Sequence, residues 1–248
     1  MVFFYILLIF ILGLVIGSFI GAYTYRLPEG IDIKKGGSFC PHCHKNLAWY
    51  DNIPLISYFL LNGKCRHCKK NISPRYPLIE AATALGFVGV YYLQRPFFET
   101  LLFLFVFSIL IAIFVIDLEY QIIPDNLVFI LLITVYWLLL TEHFPTFYLN
   151  LATGFGSALF LLLVHLITSG RGMGLGDVKF ALFAGTFLGW PNSLTWLFGA
   201  FLIGAVTGIA LILAKRASFK KPIPFGPFLI ISFIITVIWG EKLGLYVF

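Results

Sequence analysis

Apolar residues occur in eight separate runs along the chain, and polar residues are concentrated in the segments between them. Most runs are long enough for a helix of roughly 20 residues, the length that crosses the hydrocarbon core of a bilayer. We therefore predict an all-α polytopic membrane protein with about eight transmembrane helices. The predicted spans are 2–25, 78–94, 98–116, 126–141, 147–168, 178–190, 193–214 and 227–247.

Two of the predicted spans have distinctive ends. The first run lacks a basic segment before it and a small-residue cleavage site after it, so we predict a retained anchor and not a signal peptide. The sixth run is short and ends at "LGWPN". We expect that span to be tilted, broken or partly re-entrant.

Composition and charge support a membrane protein and predict its orientation. The chain is 60% hydrophobic and 11% charged, which excludes an ordinary soluble domain. With the N-terminus outside, all of the 17 Lys and Arg residues except Arg95 and Lys242 fall on the inner side. Such an excess is typical of cytoplasmic loops. The net charge of +6 therefore reflects topology, and we predict no nucleic-acid partner. The inner basic residues are Arg26, Lys34, Lys35, Lys45, Lys64, Arg66, Lys69, Lys70, Arg75, Arg171, Lys179, Lys215, Arg216, Lys220 and Lys221.

The longest polar stretch, residues 26–77, contains all four cysteines of the chain. They form two Cys-x-x-Cys motifs, "CPHC" and "CRHC", separated by 21 residues, a spacing typical of a tetrahedral zinc site. A pair of disulfides is the alternative, but the predicted cytoplasmic location is reducing and favours metal. His42, His44 and His67 are expected around the ligands and not among them. We predict a structural zinc ion bound by Cys40, Cys43, Cys65 and Cys68.

Acidic residues within or beside apolar spans are costly, which makes each one a candidate functional residue. Asp117 follows the third predicted span, and Asp177 precedes the sixth, behind the glycine-rich segment "GMGLG". The predicted topology puts both at cytoplasmic span ends, where we expect them to meet. Lys179 is interpreted as an interfacial anchor. The other acids have simpler interpretations, as solvated residues (Glu99, Glu119, Glu142, Glu241), a helix start (Asp125), or a partner of a basic loop residue or a site-lining group (Glu80).

A pair of neighbouring carboxylates has a specific chemical use. Two carboxylates that share a site hold one proton between them. One then acts as general base on a water molecule, and the other donates a proton to the scissile carbonyl or the leaving amine, as in aspartic proteases. The glycines allow a substrate backbone to approach Asp177 closely. A second interpretation of "GLGD" stays open, in which Asp177 only caps a helix.

The order and spacing of these motifs resemble those of the type IV prepilin peptidases, bacterial membrane enzymes that process pilins and pseudopilins. The resemblance extends over nearly the whole chain. The segments that carry it are "GSFIGAYTYRLP" (17–28), the two cysteine motifs, "DNIPLISYFLLNGKCRHC" (51–68), "ISPRYPLIE" (72–80), "IDLEYQIIPD" (116–125), "GMGLGDVKFALFAGTFLG" (172–189) and "PFGPFL" (224–229).

The resemblance implies a Gly-x-Gly-Asp aspartic endopeptidase that removes a short basic leader from type IV prepilins, cutting after a glycine on the cytoplasmic side. The family's catalytic pair corresponds to Asp117 and Asp177. For members with the cysteine-bearing loop, it also implies N-methylation of the new N-terminal residue, with S-adenosylmethionine as methyl donor. The expected partners are prepilins or pseudopilins of pilus, type II secretion or DNA-uptake systems, and the lipid bilayer of the bacterial plasma membrane.

Two positions depart from the family pattern. Gly21 stands where many members have Asn, and Glu119 stands where an Asp is common. Neither belongs to the predicted catalytic pair. Residues 26–77 also lack a glycine-rich nucleotide-binding motif, so the sequence predicts no particular site for the methyl donor.

We predict three domains: a first transmembrane helix (1–25), a cytoplasmic zinc-binding and N-methylation domain (26–77), and a seven-helix peptidase domain (78–248). The alternatives are a proton-coupled transporter, a presenilin-type intramembrane protease and a non-catalytic, zinc-bearing assembly factor. Acids at span ends and the lack of an internal repeat disfavour the transporter. Ile116, where presenilin-type proteases have Tyr before the first Asp, disfavours the second alternative. An assembly factor would not need both aspartates together.

Overall fold

The structure is a computed structural model that describes residues 2–32, 37–141, 146–170, 172–214 and 223–247, with the backbone alone for 241–247. Some residues that entered the sequence predictions lie outside the described part of the chain. They are Lys34, Lys35, Glu142, Arg171, Lys215, Arg216, Lys220 and Lys221, together with the side chains of Glu241 and Lys242.

Across these described ranges the regular secondary structure is helical, which confirms the predicted all-α class. A short 3-10 helix, Trp49–Asn52, lies in the polar stretch. The α-helices are α1 (Val2–Arg26), α2 (Ile56–Leu60), α3 (Arg75–Tyr92), α4 (Phe97–Tyr120), α5 (Asp125–Thr141), α6 (Phe147–Ile167), α7 (Leu175–Leu188), α8 (Asn192–Leu213) and α9 (Gly226–Val247).

Every helix except the five-residue α2 coincides with one of the predicted spans, with ends that differ by at most four residues. Four of them, α1, α4, α6 and α8, are long and apolar enough to cross a membrane. Helix α5 and the first part of α9 are shorter apolar helices. Helix α7 has 14 residues. At 1.5 Å per residue it is about 21 Å long, less than the hydrocarbon thickness of about 30 Å.

The chain forms two compact units, Met1–Ala112 and Ile113–Phe248, and α4 supplies residues to both. In the first unit, α1 packs along α3 through a stripe of glycines. A Cβ atom at Gly13 would lie 2.6 Å from the Cα of Ala84, and one at Gly17 would lie 2.7 Å from the Cα of Glu80. Small residues four apart are the usual means by which membrane helices approach closely.

Gly21 continues this stripe toward the polar stretch. A Cβ atom there would lie 3.2 Å from the Tyr76 ring. The ring therefore leaves little room for a side chain at this position. Further along α3, Phe87 and Val90 pack with Leu104 of α4 in the apolar core of this unit.

In the second unit, the short α7 is surrounded by α5, α6, α8 and α9. Its Phe180 and Phe183 are fully buried, and the Phe183 ring lies 5.5 Å from that of Phe233 on α9. The indole N–H of Trp196 on α8 donates to the Leu229 carbonyl oxygen on α9 at 2.8 Å. Protein side chains, and not lipid, therefore cover most of α7, which suits a helix shorter than a full span.

Candidate active site and metal centre

The first aspartate of the predicted pair is buried near the end of α4. The helix continues four residues beyond the predicted span, to Tyr120, so Asp117 lies inside its last turns. Asp117 is 5% exposed, and its Oδ2 accepts a hydrogen bond from the Gly226 N–H at 3.0 Å. Gly226 is the first residue of α9. Because the first N–H groups of a helix lack partners within it, the start of α9 is a natural donor to a carboxylate.

The second aspartate is held in an equivalent way at the start of α7. Asp177 is the third residue of that helix and is 6% exposed. Its Oδ2 accepts a hydrogen bond from the backbone N–H of Gly174, the residue that precedes the helix, at 2.9 Å. The carboxylate thus closes the first turn of α7, although Gly174, and not Asp177, occupies the N-cap position.

Ile123, in the connection between α4 and α5, links the surroundings of the two aspartates. A Cβ atom at Gly226 would lie 2.6 Å from Asp117 Oδ2 and 3.3 Å from Ile123 Cδ1. A Cβ atom at Gly176, next to Asp177, would lie 2.8 Å from Ile123 Cβ. The two carboxylates are also close enough for an electrostatic interaction between them. The structure therefore brings Asp117 and Asp177 together in one buried site of the second unit.

The sequence did not predict that Gly226 and Gly174 donate hydrogen bonds to these carboxylates. Gly226 lies in "PFGPFL", and Pro227 after it sits in the first turn of α9, where proline is favoured. That signal predicts a helix start. It does not predict that the backbone N–H points to a side chain 109 residues earlier.

Asp125 and Lys179 form an ion pair beside the aspartates. Lys179 Nζ lies 2.7 Å from Asp125 Oδ1, and both side chains are about half exposed. Asp125 is the first residue of α5, in agreement with its interpretation as a helix start. Lys179 contacts this carboxylate from α7. Glu119 is exposed, and Glu99 lies 3.9 Å from Arg95.

The four cysteine sulfurs of the first unit converge, with all ligand atoms within 4.8 Å of one another. The Cys40 and Cys68 sulfurs lie 3.9 Å apart. Tetrahedral zinc with Zn–S bonds of about 2.3 Å requires sulfurs roughly 3.8 Å apart, so the donor set fits the ion. A disulfide would need about 2.05 Å, and all four cysteines are free. In the described part of the chain, no histidine joins this cluster.

Each pair of ligands comes from a tight turn of the same construction. The N–H of Cys40 donates to the Lys45 carbonyl, and the N–H of His44 donates back to the Cys40 carbonyl. The second turn repeats both hydrogen bonds. The N–H of Cys65 donates to the Lys70 carbonyl, and the N–H of Lys69 donates to the Cys65 carbonyl. His44 and Lys69 both have positive φ, of 56° and 58°. The chain therefore presents the two pairs of thiols through two equivalent knuckles.

Backbone hydrogen bonds favour the thiolate form of one ligand. The N–H groups of Cys68 and His67 donate to the Cys65 sulfur and lower its pKa to about 7, against the effect of burial. For Cys68, the Lys70 N–H also donates, but burial and the hydrogen bonds of the other thiols raise the pKa to about 11. A divalent metal would stabilise the thiolate form of all four.

Glu80, the remaining acid beside a predicted span, lies in the first unit and is 7% exposed. Its Oε2 accepts a hydrogen bond from the Leu55 N–H at 2.8 Å. Leu55 has a φ of 58° just before α2. The carboxylate therefore fixes the turn that leads into α2, and it also lines a cavity of this unit.

Two family models match the chain. The bacterial peptidase A24 N-terminal domain matches residues 11–94, and the type IV leader peptidase family matches residues 104–209. Among curated relatives, the prepilin leader peptidase/N-methyltransferase of Aeromonas hydrophila is 35% identical, over 96% of this chain and 92% of that protein. The proteins of the same name from Pseudomonas aeruginosa and Vibrio cholerae are 32% and 31% identical, over 96% and 94% of this chain and 92% and 96% of their own lengths. No solved structure matches the chain.

Proposed function

Because the chain belongs to the type IV leader peptidase family, we propose that it cleaves the short basic leader from type IV prepilins and pseudopilins through Asp117 and Asp177. One observation carries this assignment. Two buried aspartates from α4 and α7 are each held by a backbone amide, and the glycines next to them, Gly226 and Gly176, both border Ile123. A pair of carboxylates in one buried site is the arrangement that water-activated peptide hydrolysis requires.

In the proposed mechanism the pair holds a single proton. The ionised carboxylate takes a proton from water as the water oxygen attacks the scissile carbonyl carbon, and the protonated carboxylate donates to the carbonyl oxygen. The C–N bond then breaks, and the carboxyl group that took the proton from water donates it to the leaving amine. The N–H groups of Gly226 and Gly174 each bind one oxygen of an aspartate and keep the other oxygen oriented toward water and substrate.

We assign the active site to the cytoplasmic face of the bacterial plasma membrane. The eight α-helices other than α2 would each cross or enter the bilayer, with the N-terminus outside, because this orientation leaves just Arg95 and Lys242 on the outer side. A prepilin with its basic leader in the cytosol and its apolar stem in the membrane would reach the inner ends of α4 and α7. Residues 117–125 contain no Lys or Arg, so they would attract the cationic leader.

We further propose that the chain N-methylates the new N-terminal residue, as the names of its relatives state for those proteins. S-adenosylmethionine would supply the methyl group. We assign this activity to residues 26–77, the anchor to 1–25 and the peptidase to 78–248. The four cysteines would hold a structural zinc ion, because Cys40 and Cys65 are the only buried residues in 37–74 and a segment with so small a core needs metal to fold.

The test is to incubate purified, detergent-solubilised protein with a prepilin and to measure the mass of the product. We expect the leader to be lost in every reaction, and one methyl group to be added when S-adenosylmethionine is present. A shortened, unmethylated product would contradict the methylation assignment alone. An uncleaved prepilin, with protein that is folded and loaded with zinc, would contradict the peptidase assignment and favour the assembly-factor alternative.

A further inference from the structure

The first unit contains a cavity of about 430 Å³ that the proposed peptidase chemistry does not use. Its walls come from the inner end of α1, both cysteine turns, the segment around α2 and the start of α3. A volume of this size is typical of a site for a small molecule. The cavity lies in the unit that carries the cysteines, and Cys40 and Cys65 form part of its wall.

Asp51, on the 3-10 helix that borders the cavity, has one buried carboxylate oxygen without a hydrogen-bond partner among the residues that the structure describes. Its side chain is 3% exposed. Its Oδ1 accepts hydrogen bonds from Arg66 at 2.9 Å, whereas its buried Oδ2 has no hydrogen-bond partner among the residues that the structure describes. A buried carboxylate oxygen without a hydrogen-bond donor is unfavourable, because it has lost its contacts with water and gained none in the protein. A ligand in the cavity that carries a cation or an N–H or O–H donor would remove this cost.

Positive charges are fixed on other parts of the wall. The Arg26 guanidinium stacks on the Phe39 ring and donates to the Gly37 carbonyl oxygen at 2.8 Å. The Arg75 guanidinium stacks on the Tyr76 ring at 5.4 Å and donates to Thr24. Because aromatic rings and hydrogen bonds hold these guanidiniums in place, they are ready to receive a carboxylate.

We propose that this cavity binds S-adenosylmethionine and that Asp51 Oδ2 contacts a cationic group of it, an inference that rests on the proposed methylation. The methyl donor carries an ammonium and a sulfonium that suit Asp51, a carboxylate that suits the arginines, and an adenine ring that suits the aromatic wall. The basic leader peptide is a poorer fit, because four cations, Arg26, Arg66, Lys70 and Arg75, line the same space.

The construction of the cavity wall also explains why the sequence contains no contiguous nucleotide-binding motif. Its wall combines side chains from residues 18–26, 38–47, 51–61, 65–66 and 70–80. A site assembled from five short segments has no contiguous motif. In glycine-rich nucleotide sites, by contrast, one loop supplies consecutive backbone N–H groups to phosphates, and S-adenosylmethionine has no phosphate to bind in that way.

The test is direct binding of S-adenosylmethionine to the purified full-length protein, measured by titration calorimetry. We expect Asp51→Asn to weaken binding roughly tenfold or more, because it removes one hydrogen bond to a charged group. Glu29→Gln neutralises an exposed carboxylate of the same unit away from the cavity and is expected to bind normally. Both variants should keep leader cleavage, and Asp51→Asn should raise the KM for the donor in methyl transfer.

A second pair of variants tests whether donor binding needs the empty space of the cavity, without changing any charge. Ala22→Phe places a ring in the cavity, whereas Ala82→Phe places the same ring on an exposed position of α3. We expect the first to abolish donor binding and the second to leave it unchanged, with equal zinc content. Wild-type donor affinity in both Asp51→Asn and Ala22→Phe would overturn the inference even if the wild-type protein methylates. The inference would also be overturned if Asp51→Asn and Ala22→Phe lost binding of the leader peptide but kept binding of the methyl donor.

Discussion

At the residue scale, backbone amides and not side chains hold the two central carboxylates. Gly226 donates to Asp117, and Gly174 donates to Asp177. The aspartates were predictable from the sequence, because acids at the ends of apolar spans are costly. Gly226 was not predictable as a partner, because the contact joins residues far apart in the chain and a backbone donor leaves no side-chain signal. The same holds for Gly174, whose role depends on where α7 begins.

The contact between Gly226 and Asp117 leads to a prediction. A Cβ atom at Gly226 would lie 2.6 Å from Asp117 Oδ2, so Gly226→Ala must displace the carboxylate. We expect leader cleavage to slow roughly a hundredfold, as when a catalytic group moves by about 1 Å. Gly156→Ala is the matched control, because a Cβ atom there meets nothing within 4 Å. Equal cleavage rates for the two variants, measured on a purified prepilin, would disprove the positioning role of Gly226.

The ion pair between Asp125 and Lys179 is expected to contribute little to activity. Both side chains are about half exposed, and such pairs contribute about 0–1 kcal/mol to stability. We therefore expect Asp125→Asn and Lys179→Met each to keep the cleavage rate within about threefold of wild type. The rates are compared in one prepilin assay with Asp117→Asn alongside. Loss of cleavage in Asp125→Asn to the level of Asp117→Asn would place Asp125 in the catalytic pair.

At the element scale, hydrophobic patterning predicted the helices well and their ends less well. The runs that define α5, α6 and α8 end where the helices end, within one residue. Helix α4 continues to Tyr120 because the polar residues after Ile116 can still extend a helix. Helix α7 begins at Leu175, so Asp177 lies in its first turn and not before it. In the polar stretch, hydrogen bonds and metal ligands determine the fold, and apolar periodicity predicted neither α2 nor the 3-10 helix.

The packing of α1 on α3 gives a prediction about stability. Gly13→Ala would bring a Cβ atom to 2.6 Å from the Ala84 backbone, which forces the helices apart. Overpacking of this kind costs about 1–3 kcal/mol. Gly89→Ala, at an open position of α3, is expected to be neutral or stabilising by up to about 1 kcal/mol, because alanine favours helix. Thermal unfolding in detergent measures both. A Gly13→Ala protein at least as stable as Gly89→Ala would contradict the close packing.

At the scale of the whole molecule, the two compact units contain different chemical groups. The first unit holds the four cysteines and the cavity, and the second holds Asp117 and Asp177. The helical class followed from the apolar runs, the family resemblance from the order and spacing of motifs along the chain, and the cysteine cluster from the two Cys-x-x-Cys motifs. The cavity did not, because it is formed by the folding together of separate segments.

This separation predicts how loss of the metal affects the two proposed activities. Cys65→Ser removes one ligand of the cluster, so we expect the bound zinc to fall from one ion per chain to nearly none. Methyl transfer should be lost, because Cys65 also lines the cavity, and leader cleavage should continue. Elemental analysis measures the bound zinc, and the mass of the product measures both methyl transfer and leader cleavage. Full methyl transfer by a zinc-free variant would exclude a structural role for the metal in this activity.

The most direct test of the central claim is leader cleavage by Asp117→Asn and Asp177→Asn, each changed alone in correctly inserted, zinc-loaded protein. Asparagine keeps the size of the side chain and its ability to accept the amide hydrogen bond, but it cannot serve as base or acid. We predict that either change reduces cleavage by roughly a thousandfold or more. Methylation of a pre-cleaved pilin should be unaffected in both. Substantial cleavage by either single variant would contradict the two-aspartate mechanism.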